Sequence, residues 1–145
     1  MPIAARRDPF PAYRFHVEIG GIRRAGFRQV SGLDITIESI EAPEGGRREP
    51  AKLPGRVRYA DVTLRYGVVR DPWIYDWVRS FVQDQGRRQN GSIVLVDLEG
   101  ADAVRWNFFD AFPTRLTVGD LNAQTSEVLV DTLVLAVERL ERVSR

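Results

Sequence analysis

The sequence predicts a mainly β protein with one flanking α-helix, whose strands pair antiparallel. In residues 61–66 polar and apolar side chains alternate, so that Val62, Leu64 and Tyr66 share one face of a half-solvated strand. Glycine-containing pairs at 20–21 and 99–100 are typical of tight turns between neighbouring antiparallel strands. One segment, residues 72–85, carries a clear apolar stripe at helical spacing.

The chain length predicts a single domain, residues 1–145, large enough to bury a core without covalent cross-links. The sequence contains no cysteine, which excludes disulfides and thiolate metal sites and fits a reducing compartment. Its first residues have no apolar run typical of a signal peptide, and no apolar stretch is long enough to span a membrane. We therefore expect no membrane insertion and no use of the common secretory route.

The formal net charge of +1 arises from 21 basic and 20 acidic residues. Such a balance provides no overall field that would hold a polyanion, so nucleic acid is a poor default partner. Lys52 is the one lysine, and all other basic residues are arginines. Because a guanidinium group can bind carboxylates with two parallel hydrogen bonds, this bias favours ordered, partly buried ion pairs.

The N-terminal part is predicted to form an arm, residues 1–12, followed by a hairpin and a third strand. The arm contains three prolines, and alternating residues then lead to the glycine pair at 20–21. The return strand is expected over residues 22–30 and the third strand over 35–41. His16, the one histidine, lies at a polar position of the first strand, which predicts an exposed surface residue without a catalytic role.

Residues 42–55 are rich in proline, glycine and charged residues and are predicted to form a long inter-strand loop. Loops of this length are uncommon inside a compact domain and are usually functional or disordered. We interpret this one as a contact with another subunit.

The helix is predicted over residues 72–85, with Asp71 as its N-cap, Pro72 at its first position and Gly86 just beyond its end. Its apolar stripe contains two tryptophans, which are expected to pack on a sheet. The aromatic residues assigned to the structural core are Trp73, Trp77, Phe81, Trp106 and Phe108.

Two further strands are expected over residues 92–98 and 103–109. The last element, residues 128–137, is apolar almost throughout, which fits a strand covered on both faces and also a buried helix. Its β-branched residues favour the strand.

The sequence contains few motifs that could support catalysis or bind a metal or cofactor. No glycine-rich phosphate loop, nucleophile-elbow motif or calcium-loop spacing is present, and no set of residues has the spacing of zinc ligands. We therefore predict that the protein is not an enzyme and holds neither a metal nor a cofactor.

Several short motifs occur in one order along most of the chain. They are Val-Ser-Gly-Leu at 30–33, Leu-Pro-Gly at 53–55, Val-Thr-Leu at 62–64, Gly-Val at 67–68, Asn-Gly-Ser-Ile-Val-Leu at 90–95, Trp-Asn-Phe-Phe at 106–109, Ala-Phe-Pro at 111–113 and Asp-Leu-Asn-Ala at 120–123. Together they resemble the gp19-like tail-tube proteins, the inner-tube family of contractile phages and phage-like injection systems. Two positions depart from that pattern, because residues 137–140 replace a His-Glu-Gly-Leu-like run and Phe112 stands where tryptophan is common.

The resemblance implies two packed antiparallel sheets that form a small β-barrel of the tail-tube or Hcp-like kind. It implies hexameric rings that stack into a hollow tube around a cargo, with sheath and baseplate or hub proteins as further partners. Assembly would take place in the cytoplasm of the producing cell, as part of a phage tail or injection particle. A tube-initiating paralogue beside the baseplate remains an alternative.

Within that tube, the loop residues expected at the contact between rings are Glu44, Arg47, Arg48, Glu49 and Lys52. The polar strand positions expected to line the channel are Arg24, Arg28, Thr36, Glu38, Thr63 and Arg65. Because these positions mix acidic and basic groups, the channel would suit protein cargo at least as well as DNA. A nucleic-acid-binding β-barrel that uses Tyr13, Phe15, Arg24 and Arg28 is an alternative of another class, as is a small-ligand barrel.

Overall fold

The computed structural model describes residues 13–43, 45–46, 48–69, 71–119 and 128–143. The predicted arm and the motif at 120–123 lie outside these residues. The elements in chain order are β1 (Phe15–Ile19), β2 (Ile22–Ser31), β3 (Ile35–Ala42), β4 (Ala51–Tyr59), β5 (Val62–Val69), α1 (Trp73–Gln83), β6 (Gln89–Val96), β7 (Asp102–Val118), β8 (Val128–Ala136) and β9 (Arg139–Val143).

Six strands close into an antiparallel barrel in the order β6-β1-β2-β5-β8-β7, and pairing of β7 with β6 completes the circle. Strand β7 is long enough to pair with β8 through residues 112–118 and with β9 through residues 105–109. Strands β3 and β4 form a separate two-stranded sheet. The predicted mainly β barrel with one helix is confirmed, and the ambiguous segment at 128–137 is a strand.

The core fills the barrel and extends under α1. Val17, Phe27, Leu64, Phe108 and Leu133 are fully buried inside the barrel, and Ile74 and Trp77 of the helix join the same cluster. The other three predicted core aromatics, Trp73, Phe81 and Trp106, are partly buried against it. Phe81 also stacks on Phe112 of β7, with ring centroids 6.0 Å apart, so the helix is fixed to the barrel at both of its ends.

The predicted placement of Tyr66 on the apolar face is wrong. Its side chain is 54% exposed, and its backbone has a φ of +57°, in the left-handed region. One residue in this conformation shifts the alternation of β5 by one position, so that Leu64 and Val69 both reach the core. By the register of the flanking pairs, Arg28 of β2 and Asp131 of β8 stand beside Tyr66.

Gly67 follows this reversal and is held between two strands. A Cβ atom at this position would meet the ring of Phe27 and, at 2.7 Å, the carbonyl oxygen of Gly26. Because neither group can move freely in the packed barrel, Gly67→Ala is expected to destabilise the fold by about 1–3 kcal/mol. Gly45→Ala is the control, since a Cβ atom there would have nothing within 4 Å. Urea unfolding followed by circular dichroism measures both, and equal stability of the two variants would contradict this packing.

Helix α1 is slightly shorter than predicted. It spans Trp73–Gln83, and Pro72 rather than Asp71 occupies the N-cap position. The Asp71 carboxylate still accepts a hydrogen bond from the backbone N–H of Trp73, at 2.9 Å, and so stabilises the first turn. Gly86 has a φ of +65° three residues after the helix. This helix is not long enough to cross a membrane, and no other helix occurs among the described residues.

The predicted loop at 42–55 is partly wrong, because β4 begins at Ala51 and the connection between β3 and β4 covers only residues 43–50. Pro54 lies within β4, opposite Ser39, next to a register shift. Each strand of a two-stranded sheet has one unpaired edge, and proline is accepted at edge strands and at bulges. The proline, glycine and charged residues that suggested a loop are therefore compatible with an exposed two-stranded sheet.

Candidate assembly surfaces

Strands β3 and β4 form a projecting hairpin, residues 35–59, that packs on itself and hardly on the barrel among the described residues. A backbone hydrogen bond of 3.3 Å from Ala60 to Asp34 closes its base. The hairpin carries five aliphatic side chains that are about half exposed or more: Ile35, Ile37, Ile40, Leu53 and Val57. Isolated two-stranded ribbons are marginally stable in water, so such a hairpin needs a further surface to cover it.

The apolar side chains occupy both faces of the hairpin. Ile37 stands opposite Val57, and Ile40 stands opposite Leu53 beyond the register shift. That shift inserts an extra residue into β4 and places the two pairs on opposite faces. Both faces of the hairpin therefore present aliphatic groups to a partner.

Three of the five predicted ring-contact residues lie at or near the outer end of this hairpin. Arg48, Glu49 and Lys52 are exposed, and Lys52 pairs with Glu41 across the two strands. Glu44 and Arg47 lie outside the described residues. The aliphatic side chains of the hairpin were not among the predicted contacts, although the spacing of Ile35 and Ile37 was a visible signal for a strand with one apolar face.

The six predicted channel residues do not form one surface. Thr63 and Arg65 lie on the outer side of β5, whose Val62 and Leu64 face the core. Cross-strand pairing places them in a polar wall with neighbours from β2, β8 and β7. The polar members of this polar wall are Gln29, Ser31, Thr63, Arg65, Arg115, Thr117 and Thr132, and Val134 of β8 lies among them, opposite Thr63 and Arg115.

The other four predicted channel residues lie elsewhere. Arg24 stacks on Trp73 of α1, with its guanidinium carbon 4.5 Å from the ring centroid, and Arg28 lies 5.4 Å from the ring of Tyr13. Thr36 and Glu38 are exposed on the hairpin. The expected mixture of charges is therefore not found in the polar wall, whose charged members are both arginines.

A charged network covers the outside of β1, β2 and β7. Arg105 donates hydrogen bonds of 3.2 and 3.3 Å to the two oxygens of Glu18 and one of 3.1 Å to Asp102. Arg23 binds Asp102 from the other side at 2.8 Å. Burial lowers the pKa of Arg105, but the hydrogen bonds and charges of Glu18 and Asp102 outweigh this effect, so that its pKa is raised. These contacts match the ordered arginine pairs that the arginine-rich composition predicted.

His16 is buried in this network, so the predicted exposed position is wrong. Its Nδ1 lies 2.6 Å from Nη1 of Arg23, and its Nε2 lies 3.1 Å from the carbonyl oxygen of Tyr13. A guanidinium group only donates and a carbonyl only accepts, so this geometry requires a neutral imidazole with its proton on Nε2. His16 therefore links β1 to Arg23 of the neighbouring strand β2, and Arg23 in turn binds Asp102 of β7. No cluster of metal-ligating side chains occurs within the described ranges.

An apolar groove lies at the end of the barrel where β5 and β7 finish and β8 begins. This end groove has a volume of about 320 Å³ and is lined by Val69, Tyr75, Leu116, Val118, Val128 and Val130, with Pro72 and Asp71 beside them. Tyr75, Val118 and Val128 are each at least 40% exposed, so the groove is open to solvent. Its walls come from four elements, and no motif in the sequence indicates it.

Comparisons with known proteins agree with this architecture. A sequence model of the family described as T4-like virus tail tube protein gp19 matches residues 11–141. A comparison with curated protein sequences finds no significant match. Among solved structures, a chain of the PVC sheath-tube complex in the extended state, from an extracellular contractile injection system, is 28% identical with a TM-score of 0.70. The alignment covers 97% of this chain and 95% of that one.

A chain of the PVC sheath/tube terminator in the extended state is 30% identical, with a TM-score of 0.68, over 97% of this chain and 100% of that one. Hcp1 from Flavobacterium johnsoniae shares the fold at 12% identity, with a TM-score of 0.51 over 92% of this chain and 97% of its own. The closed barrel, its flanking helix and the match over residues 11–141 together show that this chain belongs to the gp19-like tail-tube protein family.

Proposed function

We propose that this chain is the structural subunit of the inner tube of a contractile injection system or phage tail. Copies close into hexameric rings, and the rings stack into a hollow conduit that holds a cargo. The observation that carries the proposal is the projecting hairpin, whose five exposed aliphatic side chains have no cover among the described residues of their own chain. In a protein of the tail-tube family, other copies of the chain are the natural partners of such a surface.

Other parts of the proposal follow from the family and the related structures. Because one related chain belongs to a sheath-tube complex, we propose sheath and baseplate proteins as further partners. Assembly is proposed to take place in the cytoplasm of the producing cell. The subunit is proposed to act through its surfaces alone, without catalysis.

Light scattering coupled to size exclusion tests self-assembly directly. At micromolar concentration the purified protein should elute as rings with six times the 16.5 kDa monomer mass, or as larger stacks. A stable monomer from micromolar to millimolar concentration would contradict the proposed function.

The polar wall is the proposed channel lining, because it is a mostly polar surface over four adjacent strands, with Val134 as its one apolar member. A cysteine introduced at Thr63 should react with a small maleimide in assembled tubes but only slowly with a bulky one. Leu98→Cys, in the exposed turn between β6 and β7, is the control that both reagents should label. Equal labelling of both sites by the bulky reagent would place the polar wall on the outside of the tube.

A second candidate role is that of a terminal ring. A chain of the sheath/tube terminator structure is about as similar to this protein as the tube chain is. A terminal subunit should form rings that do not stack further, so the length of the assemblies separates the two roles. The nucleic-acid-binding alternative is less favoured, since Phe15 packs against the core and Arg28 stacks on Tyr13.

A further inference from the structure

The polar wall contains two arginines and no acidic side chain. Arg65 is exposed on β5, and its cross-strand neighbours are Gln29 of β2 and Thr132 of β8. Arg115 is exposed on β7, two strands away from Arg65. The strand register separates the Cα atoms of the two arginines by about 12 Å. The middle of the polar wall is therefore positively charged.

Neither guanidinium group is neutralised by its own chain. Within the described ranges Arg65 has no hydrogen bond or ion pair, and Arg115 donates one hydrogen bond, of 3.3 Å, to the hydroxyl of Thr117. The acidic side chains Asp61 and Asp131 are exposed at the two borders of the polar wall, one toward each end of β5. Most N–H groups of the two arginines are therefore available to a ligand.

A ring of six copies would gather these charges around the channel. Two arginines in each copy give twelve guanidinium groups per ring, and every stacked ring adds the same number. A single exposed ion pair strengthens binding only about two- to fivefold, because water screens both charges. A ligand that contacts many arginines at once gains from all of these contacts together. The polar wall therefore favours a long ligand with many negative charges.

We propose that the polar wall selects acidic cargo, namely a protein or protein segment with many exposed Asp and Glu side chains. This inference rests on the proposed function, in which the polar wall lines the channel, and it adds the charge of the cargo. A guanidinium group can bind a carboxylate with two parallel hydrogen bonds, and the hydroxyls of Ser31, Thr63 and Thr117 can donate to the same carboxylates.

Nucleic acid fits the polar wall less well than an acidic protein. The polar wall has no aromatic side chain on which unpaired bases would stack. The net charge of +1 gives the whole chain no overall field that would hold a polyanion. Short-range pairing between arginine and carboxylate groups is therefore the favoured mode of recognition.

Assembled tubes and labelled peptides test this inference. Two fluorescent peptides of equal length, one alternating Glu with Ser and the other Lys with Ser, are present during assembly, and the tubes are then sedimented. The acidic peptide should sediment with the tubes at low salt. Less of it should sediment as the salt concentration rises, because salt screens the charges. The basic peptide should remain in the supernatant.

Variants assign the binding to the polar wall. Arg65→Gln with Arg115→Gln removes both charges and should weaken binding of the acidic peptide about tenfold or more. Arg79→Gln with Arg87→Gln is the matched control, because it removes two exposed arginines outside the polar wall and should leave the binding unchanged. Gln29→Lys is an independent test in case loss of the arginines disturbs assembly. It adds a positive charge at an exposed wall position and should strengthen binding.

The outcomes separate this inference from the proposed function. Normal tubes that bind both peptides alike, or that bind the acidic peptide equally in the wall variant and its control, would overturn the selection of acidic cargo and leave the tube function in place. Unchanged binding by Gln29→Lys tubes would overturn it as well. An oligonucleotide of the same charge that binds more tightly than the acidic peptide would contradict the proposed cargo class. Wild-type protein that never assembles would overturn both proposals.

Discussion

Trp77→Ala is expected to lower the free energy of unfolding by about 3–5 kcal/mol, the usual cost of deleting a large buried aromatic side chain. The indole is only 5% exposed, and its ring centroid lies 5.6 Å from that of Trp73. Its Nε1–H donates a hydrogen bond of 2.7 Å to the carbonyl oxygen of Arg87. The alanine variant loses this bond as well as the packing, so the carbonyl must find another donor.

Thermal and urea unfolding of dilute protein measure this effect, because self-association would otherwise raise the apparent stability. A loss of this size lowers the Tm by about 10–16 °C in a domain of this length. Val82→Ala is the matched control on the same helix, since Val82 is exposed and alanine is the better helix former. Equal Tm values for the two variants would show that the tryptophan does not anchor the helix.

Ile37→Asp is expected to abolish tube growth and to leave the fold intact. Ile37 is 60% exposed in the isolated chain, so a carboxylate is well hydrated there and should change the stability by less than about 0.5 kcal/mol. In the proposed tube the same position would be covered by another copy, and an unpaired buried charge is strongly unfavourable. Assembly and folding should therefore respond very differently to this change.

Light scattering gives the extent of assembly, and circular dichroism verifies the fold. Leu98→Asp provides the control, because it places the same charge on a still more exposed apolar residue outside the hairpin. Tubes of normal length from Ile37→Asp would contradict a role of the hairpin in assembly. Loss of tubes in both variants would show that added charge, rather than the hairpin contact, controls assembly.

The parts of the fold that were predictable depend on local sequence. Gly20 and Gly21 both have positive φ, as a two-residue hairpin of this kind requires, so the β1–β2 turn could be recognised from two residues. The helix could be recognised because its tryptophans repeat at helical spacing. In both cases, residues that are close together in the chain are sufficient to predict the element.

The features that were missed depend on partners distant in the sequence. The side chain of Tyr66 is exposed beside Arg28 and Asp131. Only the pairing of β5 with β2 and β8 brings these three residues together. His16 is buried and contacts Arg23, which itself binds Asp102 of the sequence-distant strand β7. Residues 51–59 form a strand because they pair with β3, although their composition is typical of a loop.

The same reasoning applies to the assembly surfaces. The exposed hairpin could have been suspected from the alternation of Ile35 with Ile37, but the end groove could not. Its walls come from the ends of β5 and β7, the start of β8 and the first turn of α1, which are far apart in the chain. Neither the hydropathy pattern nor the motif spacing of the sequence indicates that these four elements meet.

Electron microscopy of the purified wild-type protein tests the central claim most directly. Negatively stained or frozen samples at micromolar concentration should contain rings with six-fold symmetry and an open centre, and side views should show these rings stacked into tubes. Particles of monomer size, or closed dimers that do not grow, would contradict the assignment of this chain as a self-assembling tube subunit.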